Sequence, residues 1–234
     1  MALDSTTIAP PATLDKRKLL LRDSITFLTL ALIALVLYGV TTLLFHSFES
    51  HREDLGKRWS QRGEQAIQQG RPAEAIIDLR AALTYAPDDE PYQLLLAQAL
   101  ANDGRTDEAT AYYEAFHEAH PGDGNINLQL ARLARKKGTA HEAIDFYRAS
   151  IFGAWQGDAI TRRREVRLEL AAYLIDQHEL PLARAELLIA AGNTPDTAAS
   201  DLTLAEMFEQ SGDPDNAYTY YRKYGARPEP RRRH

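Results

Sequence analysis

The chain has 234 residues, a formal net charge of −6 and no cysteine. Mild acidity excludes binding to nucleic acid through bulk charge. The missing thiols exclude disulfides, thiolate nucleophiles, cysteine-ligated zinc and lipid attachment through cysteine, and the length suits one or two domains.

Residues 1–24 begin with Pro10, Pro11 and several Ser and Thr, followed by a basic flank of Lys16, Arg17, Lys18 and Arg22. With little to bury, the first part is predicted to be a disordered stub. Ile25–Phe45 then runs for 21 residues without a charge. As a helix it would be about 31 Å long, the thickness of a bilayer core. It exceeds the apolar region of a secretory signal, and His46-Ser47-Phe48 supplies no small-x-small cleavage site. Residues 25–45 are therefore expected to form one retained transmembrane helix. The basic flank precedes it, and Arg52 alone follows closely. The positive-inside rule then predicts an inner-membrane protein with a cytoplasmic N-terminus and a periplasmic bulk. Lys57, Arg58 and Arg62 pull the other way, so a cytoplasmic bulk stays open as the alternative. The mostly polar residues 46–55 are expected to continue the helix or form a short stalk.

From residue 56 the chain repeats itself. Gly70, Gly104 and Gly138 lie 34 residues apart, and Glu74-Ala75, Glu108-Ala109 and Glu142-Ala143 follow them at one offset. That period belongs to helical-hairpin solenoids. Small residues recur in the first helices (Gly63, Ala97, Ala131, Ala171, Ala205) and in the second (Ala75, Ala109, Ala143, Ala183, Ala217). They predict close approach of the two helices of each hairpin. The large residue four positions after the second alanine is expected to fill the layer between repeats. The turn glycines suit a left-handed residue ending each first helix, although His178 stands at that place in the fourth repeat. Pro72 and Pro214 fit the first turn of a second helix, and Pro87, Pro121 and Pro195 prevent continuation into the next repeat. Between Phe152 and Arg163 the period slips by six residues, and Trp155 replaces the closing proline.

The pattern resembles the tetratricopeptide family over about residues 56–226. Trp59, Gly63, Ala75, Leu79 and Pro87 carry the likeness in the first repeat, and Ala109, Tyr113, Phe116 and Pro121 in the second. The third supplies Ala143 and Tyr147, the fourth Ala183, Leu187 and Pro195, and the fifth Phe208, Gly212 and Ala217. Arg62 and Ala66 depart from it in the first. The expected fold is all-α: one N-terminal transmembrane helix, then a solenoid of about five hairpins at 56–89, 90–123, 124–157, 164–197 and 198–226, with a basic tail at 227–234.

Signals for chemistry are weak. His117 and His120 stand at i and i+3, whereas a zincin needs i and i+4. There is no phosphate-binding loop, nucleophile elbow or dinucleotide pattern, so no cofactor, no metal and no enzyme activity are expected. Charge is zoned instead. Residues 56–123 carry 6 basic and 12 acidic side chains, residues 124–170 carry 9 and 5, and residues 171–226 carry 3 and 9. Arg132, Arg135 and Lys136 share one helix face within the basic belt.

The resemblance implies that the first helices line a concave groove. It would contain Leu94, Leu95, Gln98, Arg132, Arg135, Lys136, Leu168 and Glu169, and the arginines would favour an acidic segment or a C-terminal carboxylate. A solvated face paired with neighbouring acids is the other reading of the same cations. The carboxylate clamp of chaperone-binding members is not reproduced: Ser60, Glu64, Leu95, Asn125 and Gln129 stand at its positions. Arg162, Arg163, Arg164 and Arg167 form a second basic cluster that reads first as a solvated helix start, with a partner, an acidic neighbour or anionic lipid as the alternatives. The architecture is similar to that of bacterial envelope proteins with an N-terminal anchor and a helical-repeat domain. That likeness implies a non-enzymatic scaffold, held in the bilayer, that assists assembly, folding or translocation of envelope proteins. A membrane-anchored cytoplasmic adaptor or regulator is the alternative.

Overall fold

The computed structural model describes residues 16–226, with side chains from Ser24 onward except at residues 25, 44, 45 and 47–50. The expected stub up to residue 15, the side chains of its basic flank and the tail at 227–234 lie outside the described residues. Ten helices follow one another: α1 (Lys16–Gln68), α2 (Pro72–Tyr85), α3 (Glu90–Asn102), α4 (Thr106–Ala119), α5 (Gly124–Lys137), α6 (Ala140–Phe152), α7 (Ala159–Asp176), α8 (Leu180–Gly192), α9 (Ala198–Gln210) and α10 (Pro214–Gly225). No strand occurs among the described residues, only an isolated bridge between Asp123 and Ala154. The architecture is an all-α stack of five antiparallel hairpins, the first made by the end of α1 with α2.

Helix α1 has 53 residues, about 80 Å of unbroken rise. Its stretch Thr26–Leu43 is long and apolar enough to cross a membrane, and the described residues cover none of it. Phe27, Leu28 and Leu35 stand open to the surroundings, unlike the side chains of a core helix. Residues 46–55 are helical throughout, and Arg52 among them already donates to the Tyr85 carbonyl at 2.8 Å. The first repeat therefore grows directly out of the apolar helix.

All five turns inside the hairpins are built alike. In each, the N–H after the left-handed residue reaches back five residues along the chain: Arg71 to Ala66, Arg105 to Leu100, Thr139 to Ala134, Glu179 to Leu174 and Asp213 to Phe208, at 2.8–3.1 Å. This is the Schellman closure, which satisfies the last carbonyls of the first helix. Gly70, Gly104, Gly138 and Gly212 take positive φ there, and so does His178 at φ 60°. The fourth turn thus keeps its geometry against the preference of its side chain. The turns between hairpins end on capping side chains instead. Asp89 accepts from the Tyr92 amide, Asp123 from Asn125 and Ile126, and Asp158 from Thr161.

The small residues sit where the helices press together. Ala75, Ala97, Ala109, Ala131, Ala143, Ala171, Ala183 and Ala205 are fully buried. A Cβ on Gly63 would come within 2.5 Å of Leu79 Cγ, so glycine there lets α1 lie against α2. Leu79, Tyr113, Tyr147 and Leu187 fill the layers between repeats, as the period predicts. Tyr221 holds the same place in the fifth repeat but stays 36% exposed, with no further hairpin over it among the described residues.

The six-residue slip divides between helix and loop. Helix α7 has 18 residues against 14 in α5, and six residues separate α6 from α7 against four between α4 and α5. The longer loop folds back on its predecessor. Gly124 N donates to Ala154 O and Ala154 N to Gly122 O, both at 2.8 Å. The buried Ser150 hydroxyl donates to Gly124 O at 2.7 Å, and the Trp155 indole donates to Ser150 O at 2.9 Å. Trp155 lies over Gly124, where a Cβ would meet its ring at 2.5 Å. This loop becomes one wall of a groove.

Candidate functional site

Helices α3, α5 and α7, the first helices of three consecutive hairpins, enclose an open groove of about 760 Å³. Leu94, Ile126, Leu128 and Val166 give it an apolar floor, and Ala154, Trp155 and Gln156 of the folded-back loop form a side. Asn125 and Gln129 present amides along α5. A second recess of about 410 Å³ lies farther along the same helices, toward the hairpin turns, and contains Ala101, Arg135 and Lys136. Arg132 and Glu169 border both spaces.

These two residues form a fork. Arg132 Nε donates to Glu169 Oε1 at 2.9 Å and its second nitrogen to Oε2 at 2.7 Å. The Tyr147 hydroxyl donates to Oε1 at 2.8 Å. Burial alone would raise the Glu169 carboxyl, but the bonds from Arg132 and Tyr147, with the charges of Arg132 and Arg135, outweigh it and hold the carboxyl below its ordinary value. Burial, then the neighbouring carboxylate, raises the Tyr147 hydroxyl. The unit therefore stays an ionised pair with a protonated phenol at neutral pH.

Eight of the nine cations of the basic belt are engaged inside the chain; Arg148 is exposed. Arg135 reaches Asp176 at 3.2 Å and lies over the Tyr173 ring, Lys136 donates to the Ala101 carbonyl at 2.9 Å, and Lys137 pairs with Asp107 at 3.1 Å. In the second cluster Arg162 pairs with Glu165, Arg163 donates to the Gly153 carbonyl, Arg164 to that of Asn193, and Arg167 pairs with Glu186. Most of these contacts join one repeat to the next. Two ion pairs, Arg135 with Asp176 and Lys137 with Asp107, join the basic zone to the acidic zones on neighbouring hairpins, and the Arg132–Glu169 fork joins the third hairpin to the fourth within the basic zone.

The expected groove residues divide accordingly. Leu94, Arg132 and Glu169 come together in the larger groove; Arg135 and Lys136 border the smaller recess. Leu95 packs against the core of the first repeats and Leu168 against that of the last, while Gln98 borders neither space. Glu90, His120, Asp123, Gln156, Arg162 and Glu165 join the groove without having been singled out for it. Asp123 had a local signal, a capping aspartate after Pro121-Gly122. The Trp155 wall had none beyond a lone tryptophan in the slipped segment. The two histidines diverge: His117 packs edge-on against Phe146, whereas His120 Nε2 lies 3.7 Å from Glu90.

Residues 90–133 and 168–229 each match a model of the tetratricopeptide repeat. No relative matches among the curated proteins. Among solved structures the chain is similar to the crystal structure of MamA protein, with 16% identity, a TM-score of 0.55, and coverage of 73% of this chain and 90% of that one. It is similar to MamA 41-end from Desulfovibrio magneticus RS-1, with 16% identity, a TM-score of 0.57 and coverage of 74% and 94%. For Pseudomonas aeruginosa pilF the values are 15%, 0.58, 75% and 77%. Likeness at such identity speaks for the fold alone.

Proposed function

Starting from a chain that carries tetratricopeptide repeats, a fold of protein–protein interaction, we propose a non-enzymatic scaffold anchored in the bacterial inner membrane. Residues 25–45 serve as a single-pass anchor, and the hairpins from residue 56 to 226 hold a protein segment in the groove of α3, α5 and α7. The segment meets Leu94, Arg132 and Glu169, with Arg135 and Lys136 farther along. The N-terminus lies in the cytoplasm and the repeats in the periplasm, where the protein assists assembly, folding or translocation of envelope proteins. One observation carries this reading: an open groove on three consecutive first helices, in a stack that grows without a break from an apolar helix that none of the described residues covers. The preference for acidic segments expected from Arg132, Arg135 and Lys136 has weaker support, because each is engaged within the chain.

Site-specific photo-crosslinking in cells tests the docking face. A photoreactive residue at Gln129 or Trp155 should capture the same partner, and one at Ile77, exposed on α2 outside the groove, should not. Equal capture from Ile77 would remove the groove from the proposal. Topology is read separately, by alkaline phosphatase fused after Arg233. It should be active; a silent fusion together with a bright green fluorescent protein fusion would move the repeats to the cytoplasm.

A further inference from the structure

Once the internal pairs are formed, the larger groove has an uneven charge. Its lining carries two guanidinium groups and four carboxylates. Arg132 is spent on Glu169 and Arg162 on Glu165. Glu90 and Asp123 are left. Glu90 faces only the imidazole of His120, at 3.7 Å. Asp123 uses Oδ1 to cap α5, and no cation among the described residues pairs with it. Both carboxylates border the groove at helix N-termini, Glu90 at that of α3 and Asp123 at that of α5, beside the loop that carries Trp155. Neutral amides, Asn125 and Gln129, line the space between them and the Arg132 fork.

We propose that this groove takes an extended basic protein segment, whose Lys or Arg side chains pair with Glu90 and Asp123 while its backbone lies along Asn125 and Gln129. The inference rests on the docking reading above and adds the sign of the ligand. Residues 124–170 look basic in sequence, yet a ligand meets the groups that remain after the repeats have paired with one another. An acidic segment would have to compete with Glu169 for a guanidinium already held by two bonds and supported by Tyr147. A basic segment displaces nothing.

The test uses the full chain in neutral detergent and three fluorescent peptides about ten residues long, of alternating Lys and Ser, Glu and Ser, or Asn and Ser. The lysine peptide should bind tightest, and added salt should weaken it. Glu90→Gln and Asp123→Asn should each weaken it about two- to fivefold, the range for exposed ion pairs; asparagine keeps the cap of α5. Arg162→Gln releases Glu165 into the groove and should tighten binding by a similar factor, a gain that misfolding cannot produce. Equal or tighter binding of the glutamate peptide, with no change in the variants, overturns the charge assignment and leaves the groove in place. No saturable binding of any peptide up to millimolar concentration overturns the groove reading itself, and this inference with it.

Discussion

Replacing Arg132 by methionine should loosen the joint between the third and fourth hairpins. Methionine keeps much of the length and apolar bulk of the arginine stem but deletes two charge-assisted bonds to Glu169. Glu169 keeps the bond from Tyr147, and its side chain is 26% exposed, against 46% for Arg132. Bonds to a charged group contribute roughly 1.5–3 kcal/mol each, and stripping one partner from a fully buried pair costs about 3–5 kcal/mol. Partial exposure lowers that figure, since exposed pairs contribute about 1 kcal/mol or less. The expected loss is therefore about 2 kcal/mol. Glu169→Gln should cost less, about 1 kcal/mol, because a neutral amide still accepts from Tyr147. The double variant should then give a coupling of about 1 kcal/mol between the two positions. A solenoid unfolds segment by segment, so the assay is amide hydrogen exchange resolved to α5 and α7, with urea unfolding as a check. Arg132→Met within about 0.5 kcal/mol of the parent, with no coupling to Glu169, would refute the interlock between the third and fourth hairpins. Dependence on pH gives a second readout. The Glu169 carboxyl sits below its ordinary value when folded. Its contribution is then present above the unfolded value of about 4.3 and is lost as pH falls through the lower folded value. The Glu169→Gln protein should lack that part of the acid destabilisation and match the parent more closely at low pH than at pH 7.

Other positions give independent tests by thermal or urea unfolding. His178→Gly should stabilise the chain by about 1 kcal/mol, because the fourth turn already holds a left-handed residue; a loss would mean that the imidazole contributes a contact outweighing the backbone cost. Gly63→Ala should destabilise by roughly 1–3 kcal/mol through the clash with Leu79, and the same substitution should cost less when made in a Leu79→Ala background. Gly153→Ala drives a Cβ to 2.8 Å from Gly124 Cα, a backbone atom that cannot give way. In a Trp59→Phe background it should free the Trp155 wall, read as greater quenching of Trp155 by iodide; unchanged quenching would mean that the loop is held without the close approach.

The sequence by itself determined what depends on local backbone and periodicity. The turn glycines mark four of the five Schellman closures because the left-handed region costs glycine nothing, and the remaining one, at His178 in the fourth turn, was marked by register alone. The small residues located the contacts inside each hairpin because those contacts recur with the period. The uncharged run of Ile25–Phe45 was legible because a bilayer asks only for length and apolarity. The tertiary structure decided what depends on groups far apart in the chain. Glu169 and Asp176 lie 37 and 41 residues from the arginines they meet, and the Ala101 carbonyl lies 35 residues from Lys136. Counting charge along the sequence cannot reveal that such groups neutralise each other, so a belt that reads as basic borders a groove left with spare carboxylates. The folded-back loop is of the same kind. Its position rests on Ser150, Gly153 and Trp155 meeting Gly122 and Gly124, an encounter that only the antiparallel pairing of α5 with α6 brings about.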